Sequence, residues 1–171
     1  MIYLFAFLIA GIIAYKVTPL AIKLAWKIGA VDIPRDNRRV HKKPIPRLGG
    51  LAIFAAFTIG GLMILPLNLS SIRGMLLGGI FIVILGILDD IYDLPAKIKL
   101  VGQIAAAGIL VLFGLKVEWV TNPLGGMFYL GSLSIPITIF WVVGITNTLN
   151  FIDGLDGLAA GIAAIASFTM F

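Results

Sequence analysis

Six apolar runs decide the solvent in which this chain can fold. They cover residues 2–25, 49–67, 72–88, 98–115, 135–149 and 158–171. Crossing the hydrocarbon core of a bilayer as a helix takes about 20 residues, with a range of roughly 17–25. The fifth run is short, and Asn147 and Asn150 extend it as helix. Only 12% of the residues are charged and 60% are hydrophobic, where a soluble domain carries about twice that charge. The expected fold is an all-α polytopic membrane protein: a single membrane domain over 1–171 with about six transmembrane helices. Met1-Ile2-Tyr3-Leu4-Phe5 lacks the basic n-region of a secretory signal and reads as the start of the first span. The sixth run is still apolar where the sequence stops, as in a chain cut short.

The spans carry local features. Lys16 lies inside the first and reaches the inner interface by snorkelling. Pro19 is expected to kink that helix, with neighbouring helices satisfying the freed carbonyl. Gly60-Gly61, Gly78-Gly79 and the small residues of 105–108 let helices approach closely. Cysteine is absent, which excludes disulfides and thiolate metal sites.

Orientation follows from the cations. Lys23, Lys27, Arg35, Arg38, Arg39, Lys42, Lys43 and Arg47 flank or fill the first loop, and Lys97 and Lys99 flank the third. Alternating spans place both loops on one side, leaving Arg73 and Lys116 for the other. The N-terminus is therefore expected outside and the basic loops in the cytoplasm. The net charge of +5 then belongs to a membrane surface or to anionic substrates, not to nucleic acid. Asp32, Asp36, Asp89, Asp90, Asp93, Asp153 and Asp156 fall on the same cytoplasmic face; Glu118 alone falls outside. Between the fourth and fifth spans, Val117 and Trp119 alternate with polar neighbours, Asn122-Pro123-Leu124-Gly125-Gly126 signals a turn, and Phe128 and Leu130 resume the alternation. This predicts a short outer β-hairpin.

Three polar stretches carry chemistry. Asp89-Asp90-Ile91-Tyr92-Asp93 ends the third span; in a continuing helix Asp89 and Asp93 would share a face. Their repulsion calls for a divalent cation or a lysine, with Lys97 and Lys99 nearest in sequence. Asn147, Asn150 and Asp153 recur at one-turn spacing as an oxygen-rich stripe suited to Mg²⁺. Gly154 and Gly157 allow a ligand close to the backbone, and the helix from Leu158 presents its N-terminus to phosphate. The third stretch, residues 35–50, sets a cluster of cations and His41 before Pro44, Pro46 and Gly49-Gly50, and cations of this kind hold phosphate groups.

Taken together, the three stretches resemble the polyprenyl-phosphate N-acetylhexosamine-1-phosphate transferase family. The text that carries the resemblance is Arg39-Val40-His41-Lys42-Lys43-Pro44-Ile45-Pro46-Arg47-Leu48-Gly49-Gly50, then Asp89-Asp90-Ile91-Tyr92-Asp93, then Asn147 to Gly157 and on into Leu158-Ala159-Ala160-Gly161. The Pro-Arg-Leu-Gly-Gly ending is similar to the WecA/TagO-like branch, which transfers GlcNAc-1-phosphate; the related MraY-like branch transfers phospho-MurNAc-pentapeptide.

The resemblance implies an enzyme of the plasma membrane. A polyprenyl phosphate oxygen attacks the β-phosphorus of a UDP-N-acetylhexosamine, UMP leaves, and Mg²⁺ (or Mn²⁺) is the cofactor. By resemblance Asp89 and Asp90 are the catalytic pair, and Asn150 and Asp153 lie near the metal. Lys42, His41, Arg47, Asn147, Gly154, Leu155 and Asp156 contact substrate. Asp90 is the family's candidate base. A phosphomonoester has a second pKa of about 6 and is largely dianionic near neutral pH, so a role in positioning Mg²⁺ or a lysine stands beside it. Family members are about twice this length with about ten spans, and their second half supplies a further metal-binding Asp and a His-rich loop. The resemblance thus implies an N-terminal half with little or no activity alone. Membrane lipids are expected partners, and a homodimer is left open. Two other classes remain: a half-transporter for an anionic solute, which would place ionisable groups near the midplane, and a structural membrane subunit, which has no need of the Asn/Asp/Gly density at 147–157.

Overall fold

The computed structural model describes residues 1–33, 44–153 and 157–170. Six α-helices run through the described residues: α1 (Ile2–Ile28), α2 (Gly49–Leu62), α3 (Ser70–Tyr92), α4 (Ala96–Leu112), α5 (Ser134–Ile152) and α6 (Leu158–Met170). Two antiparallel ribbons accompany them: β1 (Val31–Asp32) with β2 (Ile45–Pro46), and β3 (Trp119–Thr121) with β4 (Met127–Tyr129). Among the described residues three helical segments are able, by length and composition, to cross a membrane: Ile2–Ile28, Ser70–Tyr92 and Gly131–Ile152, the last including a 3₁₀ turn before α5. α2 and α6 are apolar but shorter, at 14 and 13 residues.

The helix boundaries have local causes. α1 passes through Pro19 as one helix and stops where Gly29 adopts the left-handed conformation (φ 80°), its N–H returning to the Ala25 carbonyl. α2 ends short of the expected run to 67, because Pro66 has no N–H and disfavours helical geometry at Leu65. α5 extends past the apolar run through Asn147 and Asn150 to Ile152. α1 packs on α2, α3 on α4, and α4 on α5.

Small residues make these contacts. Among the described residues the buried apolar ones are Ala6, Ala21, Ala25, Ala30, Ala52, Ala56, Ala106, Ala107 and one large side chain, Leu48. Gly74 packs beneath Phe113, and Gly78 and Gly79 lie beneath Leu110 and Phe54. Large apolar side chains such as Phe7, Phe140 and Trp141 are exposed on the helix surfaces. A water-soluble bundle buries its large residues. In lipid, outward-facing side chains are already in apolar solvent and close backbone approach drives packing.

The expected hairpin between α4 and α5 is present, with Trp119 opposite Tyr129 and Val120 opposite Phe128. Gly125 (φ 109°) and Gly126 (φ 81°) supply turn conformations that L side chains rarely adopt. A two-stranded ribbon is marginal by itself, and α5 anchors this one. Buried Ser134 Oγ donates to the Val117 carbonyl at 2.7 Å, and Val117 N–H donates to the Thr138 hydroxyl at 2.8 Å. The ribbon β1–β2 is not expected from the sequence. It pairs Val31 with Pro46 and Asp32 with Ile45, and Arg47 N–H extends the pairing to the Ala30 carbonyl at 3.0 Å.

Candidate active site

α3 carries the aspartate pair to its C-terminus and stops there. Asp93 takes a left-handed conformation (φ 47°), its N–H bonding the Asp89 carbonyl at 2.8 Å. Leu94 N–H donates to Asp89 Oδ1 at 3.0 Å, and Pro95 forms the cap of α4. Asp89 and Asp93 therefore do not share a face: the helix ends before the second of them, and Asp93 turns into solvent. The lysine expected to relieve the acids is Lys99, one turn into α4, whose Nζ lies 2.7 Å from Asp89 Oδ1.

The short ribbon does a second job of charge placement. β1 and β2 hold Asp32 beside Arg47, whose Nη2 lies 2.9 Å from Asp32 Oδ1. Its Nη1 lies 3.4 Å from Asp93 Oδ1. One guanidinium thus joins the segment after α1, the approach to α2 and the end of α3. A planar fork with several donors can make such a junction; a single ammonium makes it less well.

These ends surround a cavity of about 320 Å³. Its polar lining is Arg47, Asp89, Asp90, Lys99, Gln103, Thr146, Asn150 and Asp153, and its apolar lining includes Leu48, Leu51, Ile82, Val83, Leu85 and Ile87. The catalytic candidates Asp89 and Asp90, the metal candidates Asn150 and Asp153, and Arg47 thus share one space, contributed by the start of α2, the end of α3, the start of α4 and the end of α5. Asn147 is not among the lining residues. Its amide is bonded to Gln103 instead, donating to Gln103 Oε1 at 2.7 Å. Lys42, His41, Gly154, Leu155 and Asp156 lie outside the described residues.

Ion pairing divides the acids. Asp89 is held by Lys99, and Asp93 by Arg47. Among the described residues neither Asp90 nor Asp153 forms a salt bridge, and both line the cavity. With Asn150 they form an all-oxygen donor set. Among the described residues no three Asp, Glu, His or Cys side chains cluster to cage an ion by themselves. Mg²⁺ needs no such cage, since it binds through one or two carboxylates and keeps waters and substrate phosphates for the rest. The donor chemistry fits that ion.

Sequence reasoning missed Gln103 and Thr146 in the lining, and the partnership of Asp32 with Arg47. Gln103 had a signal: an amide inside an apolar run is expensive in lipid and needs a partner. The Asp32–Arg47 pair had none, because it depends on two-residue strands too short to leave a pattern.

The sequence profile of glycosyl transferase family 4 matches residues 72–171, over half of the chain. The chain is 43% identical over 166 residues to a probable undecaprenyl-phosphate N-acetylglucosaminyl 1-phosphate transferase of Bacillus subtilis, covering 96% of this chain and 46% of that protein. It is 39% identical over 174 residues to a decaprenyl-phosphate N-acetylglucosaminephosphotransferase of Mycobacterium tuberculosis (95% of this chain, 43% of the relative). It is 31% identical over 151 residues to an undecaprenyl-phosphate alpha-N-acetylglucosaminyl 1-phosphate transferase of Escherichia coli (84% and 39%). The chain thus spans somewhat under half the length of these relatives. No solved structure matches it.

Proposed function

The chain belongs to glycosyl transferase family 4, and from that premise we propose that it supplies part of a site transferring GlcNAc-1-phosphate from a UDP-sugar to polyprenyl phosphate. The observation that carries the reading is the shared cavity: Arg47, before α2, Asp89 and Asp90 of α3, Lys99 of α4, and Asn150 and Asp153 at the end of α5 face one space with an apolar wall. A half-transporter needs ionisable groups near the midplane, whereas these stand at helix ends. The names of the relatives favour GlcNAc-1-phosphate over phospho-MurNAc-pentapeptide as the transferred group.

In the proposed reaction a phosphate oxygen of the polyprenyl acceptor forms a bond to the β-phosphorus of the nucleotide sugar. The bond from that phosphorus to the bridging oxygen breaks, and UMP leaves with the electron pair. Both reactants are anionic, so the site must lower their repulsion and align them. Arg47 and Lys99 supply positive charge on two sides of the cavity. Ile82, Val83, Leu85 and Ile87 offer an apolar flank along which an isoprenoid chain lies. Asp90 and Asp153, with Asn150, would hold Mg²⁺ or Mn²⁺, which when bound neutralises diphosphate charge. Lys42, Gly154, Leu155 and Asp156 are assigned to the nucleotide side from the sequence motif, and His41 to substrate binding.

The same proposal takes all six helices as spans, with α2, α4 and α6 completed by flanking residues. It places the cavity at the cytoplasmic face of the plasma membrane and the hairpin β3–β4 outside. The test is release of labelled UMP from UDP-GlcNAc in proteoliposomes of the complete gene product with undecaprenyl phosphate and Mg²⁺. Asp90→Asn and Asp153→Asn should each reduce the rate by on the order of 100-fold or more. Wild-type rates in both variants would remove the assignment.

A further inference from the structure

We propose that Gln103 and Asn147 form a positioning clamp between α4 and α5 that sets the two walls of the cavity in register, an inference that rests on the transferase reading for its catalytic consequence. The two side chains exchange hydrogen bonds head to head. Gln103 Nε2 donates to Asn147 Oδ1 at 3.2 Å, and Asn147 Nδ2 donates to Gln103 Oε1 at 2.7 Å. Asn147 Nδ2 also donates to the Val143 carbonyl of its own helix at 2.9 Å. A carboxamide nitrogen has two hydrogens. Both hydrogens of Asn147 are therefore committed within the protein, and none is left for a ligand.

Burial makes the pair selective. Gln103 is 6% exposed, and beyond Lys97 and Lys99 the rest of its helix is Ala, Gly and aliphatic residues. Sliding or rotating α5 by one residue against α4 would strand both amides in apolar surroundings, where an unmade hydrogen bond is expensive. Aliphatic packing alone tolerates such slips far better, since one methyl group is much like the next.

The clamp stands one turn from the chemistry on both helices. Gln103 lies four residues after Lys99, which holds Asp89. Asn147 lies three residues before Asn150 and six before Asp153. Fixing 103 against 147 thus fixes the Lys99–Asp89 wall against the Asn150–Asp153 wall. Gln103 and Asn147 are positioning residues: their effect on transfer runs through Lys99, Asn150 and Asp153.

The test uses Gln103→Met and Asn147→Leu, singly and together, in the complete gene product reconstituted in proteoliposomes. Both replacements are apolar, so membrane insertion is retained, and the double variant leaves no orphaned amide. Residues 1–171 contain no cysteine. Spin labels on cysteines introduced at the exposed positions Ile98 and Phe151, with any cysteine outside residues 1–171 replaced by serine, then report the α4–α5 distance directly. Each single variant should broaden that distance distribution and lower kcat per folded molecule by on the order of 10–100-fold, with the donor KM little changed. The double variant should lose no more than the worse single. Unchanged distances overturn the clamp, and a fall in kcat without them makes Gln103 a substrate contact instead. Broadened distances at unchanged kcat reduce the pair to packing and overturn it too. Should the wild-type protein release no UMP, the transferase reading falls and the spin-label distances alone decide the clamp.

Discussion

Replacing Lys99 by Met tests whether the bridge to Asp89 holds the end of α3. The two side chains meet at 2.7 Å while 32% and 23% exposed, between the limits for which magnitudes are known. A fully exposed pair contributes about 0–1 kcal/mol, and orphaning one partner of a fully buried pair costs about 3–5 kcal/mol. Partial exposure places Lys99→Met at about 1–3 kcal/mol of lost stability. The Leu94 N–H bond to Asp89 remains but cannot neutralise the charge. Asp89→Asn in the Lys99→Met background removes the stranded carboxylate and should recover part of the loss, giving a coupling of about 1–2 kcal/mol. The assay is reversible unfolding of detergent-solubilised protein, followed by tryptophan fluorescence in all four members of the cycle. Strong screening by salt is not expected for a partly buried pair. Additive single effects, with coupling below about 0.3 kcal/mol, would refute the bridge as a structural element and leave Lys99 as a cavity cation only.

Arg47→Lys keeps the charge but loses the fork that reaches both Asp32 and Asp93; it should cost about 1–2 kcal/mol and raise the donor KM, measurable by unfolding and by UMP release. Gly74→Ala places a methyl group against the Phe113 side chain and should destabilise the α3–α4 contact by about 1–3 kcal/mol, read as a lower thermal midpoint. Thr138→Val removes the acceptor of the Val117 N–H and should cost about 1–3 kcal/mol. It should also free the hairpin from α5, seen as a change in Trp119 emission as its tilted ring contact with Tyr129, now at 4.8 Å between centroids, is lost.

The membrane class was legible because lipid imposes a length and a polarity on every helix, and those survive in the bare sequence. The helix ends were less so. The run to 67 looked like one span, yet the helix stops at Leu62 because one proline outweighs a continuous apolar pattern. The hairpin was legible through Asn122 to Gly126, where turn chemistry is local. The β1–β2 ribbon was not, since two residues of strand carry no periodicity, and its two strands flank the segment between the packed helices α1 and α2.

The site divides along the same line. Asp89, Asp90, Asn150 and Asp153 announced themselves because several oxygen side chains at a span end are costly unless something binds them. Their convergence in one cavity follows from the order of packing, α3 on α4 and α4 on α5, which brings alternate helix ends together. What pattern could not reveal is the division of labour among chemically equal groups. Asp89 and Asp90 are neighbours in sequence, yet one is bound to Lys99 and a backbone N–H while the other faces the cavity without an ion pair among the described residues. Asn147 and Asn150 belong to one stripe, yet the first is turned to Gln103. That division is set by which helix lies across from each side chain, and in this fold the decisive neighbour is α4, whose Lys99 stands close to the aspartate motif and whose Gln103 belongs to no motif.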